Sequence, residues 1–184
     1  MGNIKIGIIG VGNCFAGLIQ GIEYYKLNPD KKIIGIMNER IGNYDIFDIE
    51  FTSAFDVSEN KIGKTLDKAI YKDPNCVDWL PRVSDIKTIV KEAPVLDGVG
   101  VYVEKMIKPK KQAKSDEDLK KDIIEEVRNS GTEMLVNYLP VGSEKAVRYW
   151  AEIALEANVG IINCMPVFIA SDNKWSEKFC QYSI

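Results

Sequence analysis

The chain has 184 residues, 46% hydrophobic and 28% charged, with a formal net charge of −3; that is enough apolar material for one ordinary domain with a real core, and residues 1–184 are read as one. The acidic balance excludes nucleic acid as a main partner, because phosphate binding needs a basic face, and no apolar run approaches the roughly 20 residues of a membrane span. The absence of any histidine removes imidazole acid–base catalysis, the usual serine triad and most zinc sites, so no metal site is expected.

Ile4 to Val11 is an apolar strand that runs into the glycine turn Gly10-Val11-Gly12, and an amphipathic helix follows from Phe15 to Tyr25. Dinucleotide-binding α/β domains open in this way. Gly10 permits the tight turn, and Gly12 lets a pyrophosphate lie against the backbone. The free N–H groups and positive dipole end of the helix would hold that anion. A purely structural turn is the alternative. The third small position of the motif is missing, since Phe15 stands three residues after Gly12. No secretory leader precedes this strand, and Ile6 stands where a myristoylation motif needs Ser or Thr.

Asn28-Pro29-Asp30 is a turn, and Lys31 to Glu50 has mixed character. Phe51 to Val57 reads as a second strand. Its Asp56 lies over 40 residues past the last glycine of the turn, not about 20, so the first crossover carries an insertion. Asp56 is a candidate acceptor for both adenosine-ribose hydroxyls. It is equally placed, with Ser58, to cap a following helix. Short helical pieces are expected at Ile62–Ile70 and Ser84–Val90, around a Pro- and Trp-containing turn at Asp73–Pro81. Leu96 to Gly100 is a glycine loop without phosphate spacing of its own. The seven lysines between Lys105 and Lys121 read as a solvated helix surface. Ser115 and Asp118 are spaced like a capping box, Leu119, Ile123, Ile124 and Val127 recur at helical spacing, and Ser130-Gly131 ends that helix.

Two strand–helix units close the chain. Glu133–Leu139 is a buried strand, Pro140 to Ser143 a turn and Glu144–Ala157 a helix. Gly160–Cys164 is a second strand, followed by a loop to Ser171 and a helix over Asp172–Tyr182. The fold class is therefore α/β, a Rossmann-like, mostly parallel sheet with helices on both faces. The turns after Ile9, Phe55, Leu139 and Cys164 open on the carboxyl edge where such sheets bind ligands. Ser143 is expected to cap its helix and leave N–H donors free for a phosphate, ribose or amide; a plain N-cap is the alternative. Cys14 sits at a helix N-terminus, where thiol pKa values fall, yet no basic partner is near in sequence. Cys164 is expected in the core, and Trp175 and Phe179 on the inner face of the last helix. The four cysteines, Cys14, Cys76, Cys164 and Cys180, form no Cys-x-x-Cys pair; free thiols in a reducing cytoplasm are expected.

Gly10 to Cys14, Ala54-Phe55-Asp56-Val57, Leu96-Asp97-Gly98, Asn137 to Glu144 and Pro166 to Asp172 occur in this order. Together they resemble the prokaryotic type of inositol-3-phosphate synthase (myo-inositol-1-phosphate synthase), from Ile4 to about Phe179. The resemblance also accounts for the insertion around Ile36 to Glu50. It implies an NAD-dependent isomerase acting on glucose 6-phosphate for phospholipid synthesis: oxidation at carbon 5, intramolecular aldol closure, then reduction by the same cofactor. The cofactor-side positions that carry over are Gly10, Gly12, Asn13, Cys14, Asp56, Asn137, Pro140, Gly142 and Ser143. Family members are about twice as long. Their catalytic lysines and their substrate and tetramerisation domain follow the segment matching Ser171–Phe179, so these 184 residues carry no assigned catalytic residue. The partners implied are copies of the chain in a homo-oligomer or a missing catalytic half.

Three other functions stand beside this one. The chain could be a non-catalytic module that pairs with a separate catalytic half or regulates a full-length synthase. An unrelated NAD-linked oxidoreductase or a methyltransferase would also use a glycine turn after its first strand, although no Tyr-x-x-x-Lys pair supports the former.

Overall fold

The apolar run Ile4–Ile9 forms β1, the central strand of a five-stranded sheet in the computed structural model, which describes residues 2–78, 80–83 and 85–184. The helix α1 (Asn13–Leu27) follows directly, starting two residues earlier than the apolar pattern suggests. The insertion carries a small hairpin, β2 (Arg40–Ile41) and β3 (Tyr44–Asp45), and a 3-10 turn capped by Asp45. It returns the chain to β4 (Ile49–Asp56), the short helix α2 (Leu66–Ala69), β5 (Val90–Glu92) and α3 (Val101–Ile107). Then come α4 (Asp116–Asn129), β6 (Met134–Asn137), α5 (Glu144–Ala157), β7 (Gly160–Asn163) and α6 (Asn173–Gln181).

The sheet order is β5-β4-β1-β6-β7, and every pairing is parallel. The direction of winding reverses between β1 and β6, which creates the topological switch point where such sheets bind ligands. Alternation along β1 sends Ile6 and Ile8 to one face and Ile9 to the other. The first face packs on Phe15, Ala16, Ile19 and Ile22 of α1 and on Leu66 and Ile70. The second packs on α4 and on Trp150, Ile153 and Ala154 of α5. A third layer joins Val147, Ala151 and Leu155 of α5 to Ile169 and Trp175, with Phe179 at its margin. The α/β architecture with helices on both faces is thus the one read from the sequence. Among the described residues, no helix is long and apolar enough to cross a membrane.

Four local readings need correction. The segment 85–89 is not helical: Thr65 and Ile89 bridge, the Thr88 hydroxyl donates to the Phe51 carbonyl, and Val90 opens β5. Its β-branched residues find backbone partners at the sheet edge that a helix would forfeit; Ser84 lies outside the described residues. Only Leu66–Ala69 of the expected helix at Ile62–Ile70 forms, because Gly63 turns at φ +79°. Asp56 therefore caps a turn and not a helix. The lysine-rich stretch is also not one helix. Between α3 and α4 the chain runs alongside 57–58, where Lys110 N–H donates to the Val57 carbonyl and Pro109 bridges Ser58. Trp79 of the expected turn at Asp73–Pro81 lies outside the described residues.

Candidate functional site

A cleft of about 490 Å³ opens at the carboxyl ends of β1, β4, β6 and β7. Gly10, Gly12, Asn13, Cys14, Asp56, Pro140 and Ser143 all line it. Two other positions singled out in the sequence do not reach its lining: Asn137 and Gly142. Asn137 is fully buried; its amide donates to Asn163 Oδ1 at 3.0 Å and accepts from the Leu139 N–H. It holds the ends of β6 and β7 together beneath the cleft. Gly142 makes the turn into α5 at φ +95°.

The glycine turn is built as its sequence demands. Gly10 has φ +87°, a value that favours glycine, and an added Cβ would lie 3.1 Å from the Tyr138 carbonyl oxygen. Gly12 is different. It has ordinary extended backbone as the N-cap of α1, and an added Cβ there would meet nothing within 4 Å. The space beside it belongs to the cleft. Phe15 does not crowd the turn: it is fully buried and meets Phe51 edge-on at 5.1 Å between ring centroids. The missing small residue is accommodated in the core.

The two helix N-termini at the cleft differ. α1 has no side-chain cap and no acidic residue in its first turn, so its first N–H groups face the cleft without a capping side chain. The head of α5 is occupied. The Asp97 carboxylate accepts from Lys145 N–H at 2.7 Å and Ala146 N–H at 3.0 Å. Ser143 holds the N-cap position but makes no capping bond, and its buried hydroxyl has no hydrogen-bond partner among the described residues. The expectation that Ser143 caps α5 and leaves donors free is therefore corrected. Asp97 reaches the helix from the loop before α3, and Gly98 packs so closely that an added Cβ would stand 1.9 Å from Ser143 Oγ.

Asp56 is 9% exposed. Its Oδ2 accepts from Val11 N–H and its Oδ1 from Ser58 N–H, both at 2.8 Å. Beside it lies a residue that the sequence reading missed. Lys61 is 3% exposed; its ammonium donates to the Val11 carbonyl at 2.8 Å and to Asn75 Oδ1 at 2.9 Å, and stands 3.9 Å from Asp56. Burial lowers its pKa, and the Asp56 charge opposes that shift. The Asn75 amide donates to the same Val11 carbonyl at 3.0 Å, and Cys76 N–H donates to Asn13 Oδ1 at 2.8 Å. No motif spacing marks Lys61 or Asn75. A lone lysine after a strand gives no signal until the fold buries it.

Cys14 and Cys164 both line the cleft and both are exposed. Cys164 is thus not the core residue expected, because β7 ends one residue earlier and the chain turns outward. Partial desolvation of its thiol against the cleft wall pushes the pKa up, and the neighbouring Cys14 adds to the shift. Burial likewise raises the Tyr138 phenol, with both cysteines contributing.

A glycine turn, an uncapped helix N-terminus and a cleft at the switch point of a parallel sheet define a Rossmann-like α/β domain. No protein-family model matches the chain. It is 38% identical over 177 residues to an inositol-3-phosphate synthase of Mycobacterium tuberculosis, covering 96% of this chain and 47% of the relative. The synthases of Mycolicibacterium smegmatis and Corynebacterium glutamicum are also 38% identical, over 97% and 98% of this chain and 48% of each relative. The chain belongs to the inositol-3-phosphate synthase family and spans about half the length of the curated relatives it matches. Among solved structures, Ari2 superposes with a TM-score of 0.81 at 28% identity, over 99% of this chain and 51% of Ari2. A myo-inositol-1-phosphate synthase-related protein from Thermotoga maritima shares the fold, with a TM-score of 0.72 at 18% identity over 96% of this chain and 51% of its own.

Proposed function

We propose that these 184 residues are the NAD-binding part of an inositol-3-phosphate synthase. The observation that carries the reading is the uncapped head of α1 beside Gly12, where an added Cβ meets open space. A pyrophosphate fits there: backbone donors at Gly12, Asn13 and Cys14 meet it, and the helix dipole favours its charge. It does not fit at α5, where Asp97 already holds the first-turn donors. Ser143 Oγ, buried at the cleft wall without a partner among the described residues, supplies a hydroxyl for a polar ligand group; Pro140 lines that wall beside it, and Asn137 and Gly142 shape it from outside the lining.

Bound NAD would supply reversible hydride transfer, so that the proposed conversion of glucose 6-phosphate to inositol phosphate would involve no net redox change. The chain's own part is to bind and orient the cofactor. The apolar side chains of Val95, Leu96, Val141 and Met165 line the cleft and exclude water around the ligand. The catalytic lysines implied by the family lie outside these 184 residues, so we assign no turnover to them alone.

A second reading has its own observation. β7 is an edge strand of the sheet, and Ile162, at 47% exposed, and Phe168, at 75%, stand open beside it. Such an edge is a place for another segment or chain to add. An interaction module that pairs with a separate catalytic half uses this surface.

Calorimetric titration of the purified chain with NAD, with Gly12→Val as control, tests the first reading. Binding that disappears in the control supports it; no binding to a folded chain overturns it. Co-purification of a second chain favours the module, and a strictly monomeric, well-behaved chain speaks against it.

A further inference from the structure

Val11, the middle residue of the glycine turn, has both of its backbone polar groups held by side chains. Its N–H is bound by Asp56 Oδ2 at 2.8 Å, and its carbonyl by Lys61 Nζ at 2.8 Å and Asn75 Nδ2 at 3.0 Å. A trans peptide points its C=O and N–H in opposite directions. Fixing the Val11 carbonyl therefore fixes the direction of the Gly12 N–H, which shares that peptide plane. Fixing the Val11 N–H does the same for the Gly10 carbonyl. Gly10 and Gly12 bring no side chain of their own to restrict the turn. Lys61 also brings a formal charge: the residue is 3% exposed, lines the cleft and has its ammonium directly behind the turn, on the Val11 carbonyl. The nearest carboxylate, Asp56, lies at 3.9 Å and has both oxygens engaged by backbone donors.

We propose that Lys61, together with Asn75, is the positioning residue of the glycine turn: it sets the Gly12 N–H and places a buried positive charge behind it, so that the turn selects ligands carrying a diphosphate. The inference deepens the dinucleotide reading and rests on it. Lys61 touches no ligand in this arrangement; it acts through the Val11–Gly12 peptide and through its field, which is strong because the group is buried.

The test is a ligand series on the purified chain: NAD, ADP-ribose and adenosine, measured by calorimetry. Lys61→Met keeps the length of the stem and removes the charge and the donors. Asn75→Asp keeps Lys61 and the local shape, removes the amide donor, and sets a carboxylate against the ammonium. Each variant should weaken NAD and ADP-ribose at least about tenfold while adenosine changes less than about twofold. Lys61→Arg, which restores charge and donors, should recover part of the loss. Equal weakening of all three ligands would mean a structural role only and would overturn the proposal. So would wild-type affinities in both variants. If Lys61→Met does not fold, Asn75→Asp decides by the same criterion. Failure of the unaltered chain to bind NAD and ADP-ribose overturns the dinucleotide reading, and this one with it; binding that neither variant moves overturns the role of Lys61 alone.

Discussion

Asp97 caps α5 in place of Ser143. Its carboxylate accepts from the second and third helical N–H groups, those of Lys145 and Ala146, which an N-cap side chain normally serves. Ser143 has ψ 48°, outside the extended region from which a side chain reaches those donors. The task passes to a loop about 50 residues earlier in the chain. Asp97→Ala should destabilise the fold by about 1–2 kcal/mol, the usual cost of a lost cap. Asp97→Asn should cost less, because an amide oxygen still accepts. Urea unfolding of both variants gives the comparison; equal losses would mean that the charge, and not the hydrogen bonds, holds the helix.

Three glycines at the site separate by what surrounds them. An added Cβ at Gly12 has space, so Gly12→Val should leave the urea midpoint nearly unchanged and abolish NAD binding by filling the cleft. Gly98 is the opposite case. It has φ +79°, and its Cβ would lie 1.9 Å from Ser143 Oγ and 3.1 Å from Ser143 Cα. Gly98→Ala should cost about 2–4 kcal/mol from strain and overlap together. Ser143→Ala should recover only part of this, since the backbone overlap remains. Gly10→Ala, at φ +87° against the Tyr138 carbonyl, should fall between the two in stability.

Asp56→Ala would leave the Val11 and Ser58 N–H groups without their acceptor and strip Lys61 of its nearest carboxylate. Removing one partner of a buried charge pair costs about 3–5 kcal/mol. Asp56→Asn keeps the shape and one of the two acceptors but turns its NH2 toward the other backbone N–H, so it should lose less stability than Asp56→Ala while still costing part of it. Binding then separates two roles. Loss of ribose hydrogen bonds to a charged acceptor, about 1.5–3 kcal/mol, would weaken adenosine and NAD alike by about 10- to 150-fold. Each carboxylate oxygen is already held by a backbone donor of the turn or its neighbour, so we expect Asp56→Asn to act chiefly through the turn, weakening NAD more than adenosine. Calorimetry with both ligands decides.

How much was legible in the sequence follows from the range of the forces involved. β1, α5 and the helix after Ser115 could be read because strand alternation, helical spacing and caps are local. Glu144–Ala157 was placed to the residue. The stretch 62–90 was not legible. Its described residues are set by bonds between its two ends, Gly63 and Lys64 with Val90 and Leu66 with Thr88, and by the Val90–Ala54 pairing with β4, partners more than twenty residues away. The site divides in the same way. Gly10 and Gly12 announce themselves by spacing, and Asp56 by its place at a strand end. Lys61, Asn75 and Asp97 act through backbone groups of distant segments, and a side chain that serves a remote main chain leaves no pattern in its own neighbourhood. Cys164 misled for a simpler reason: an apolar strand does not say at which residue it ends.

Tyr149 gives the fold a built-in alkaline limit. Its hydroxyl is buried and finds no hydrogen-bond partner among the described residues, and its ring meets Trp150 edge-on at 5.9 Å. Burial, reinforced by Asp116 and Glu156, pushes the phenol up to about 12 from an ordinary 10. The folded chain therefore holds this proton more tightly than the unfolded chain does. Its contribution is fully present below pH 10 and is lost as pH rises from 10 towards 12, because the unfolded state releases the proton first. Tyr149→Phe removes both the orphaned hydroxyl and the titration. At pH 7 the variant should be as stable as the natural chain or more so, by up to about 1 kcal/mol, since no hydrogen bond is lost. Between pH 10 and 12 its urea midpoint should fall less steeply than that of the natural chain. Parallel slopes for the two proteins across that interval would assign the alkaline loss to other groups and refute this account of Tyr149.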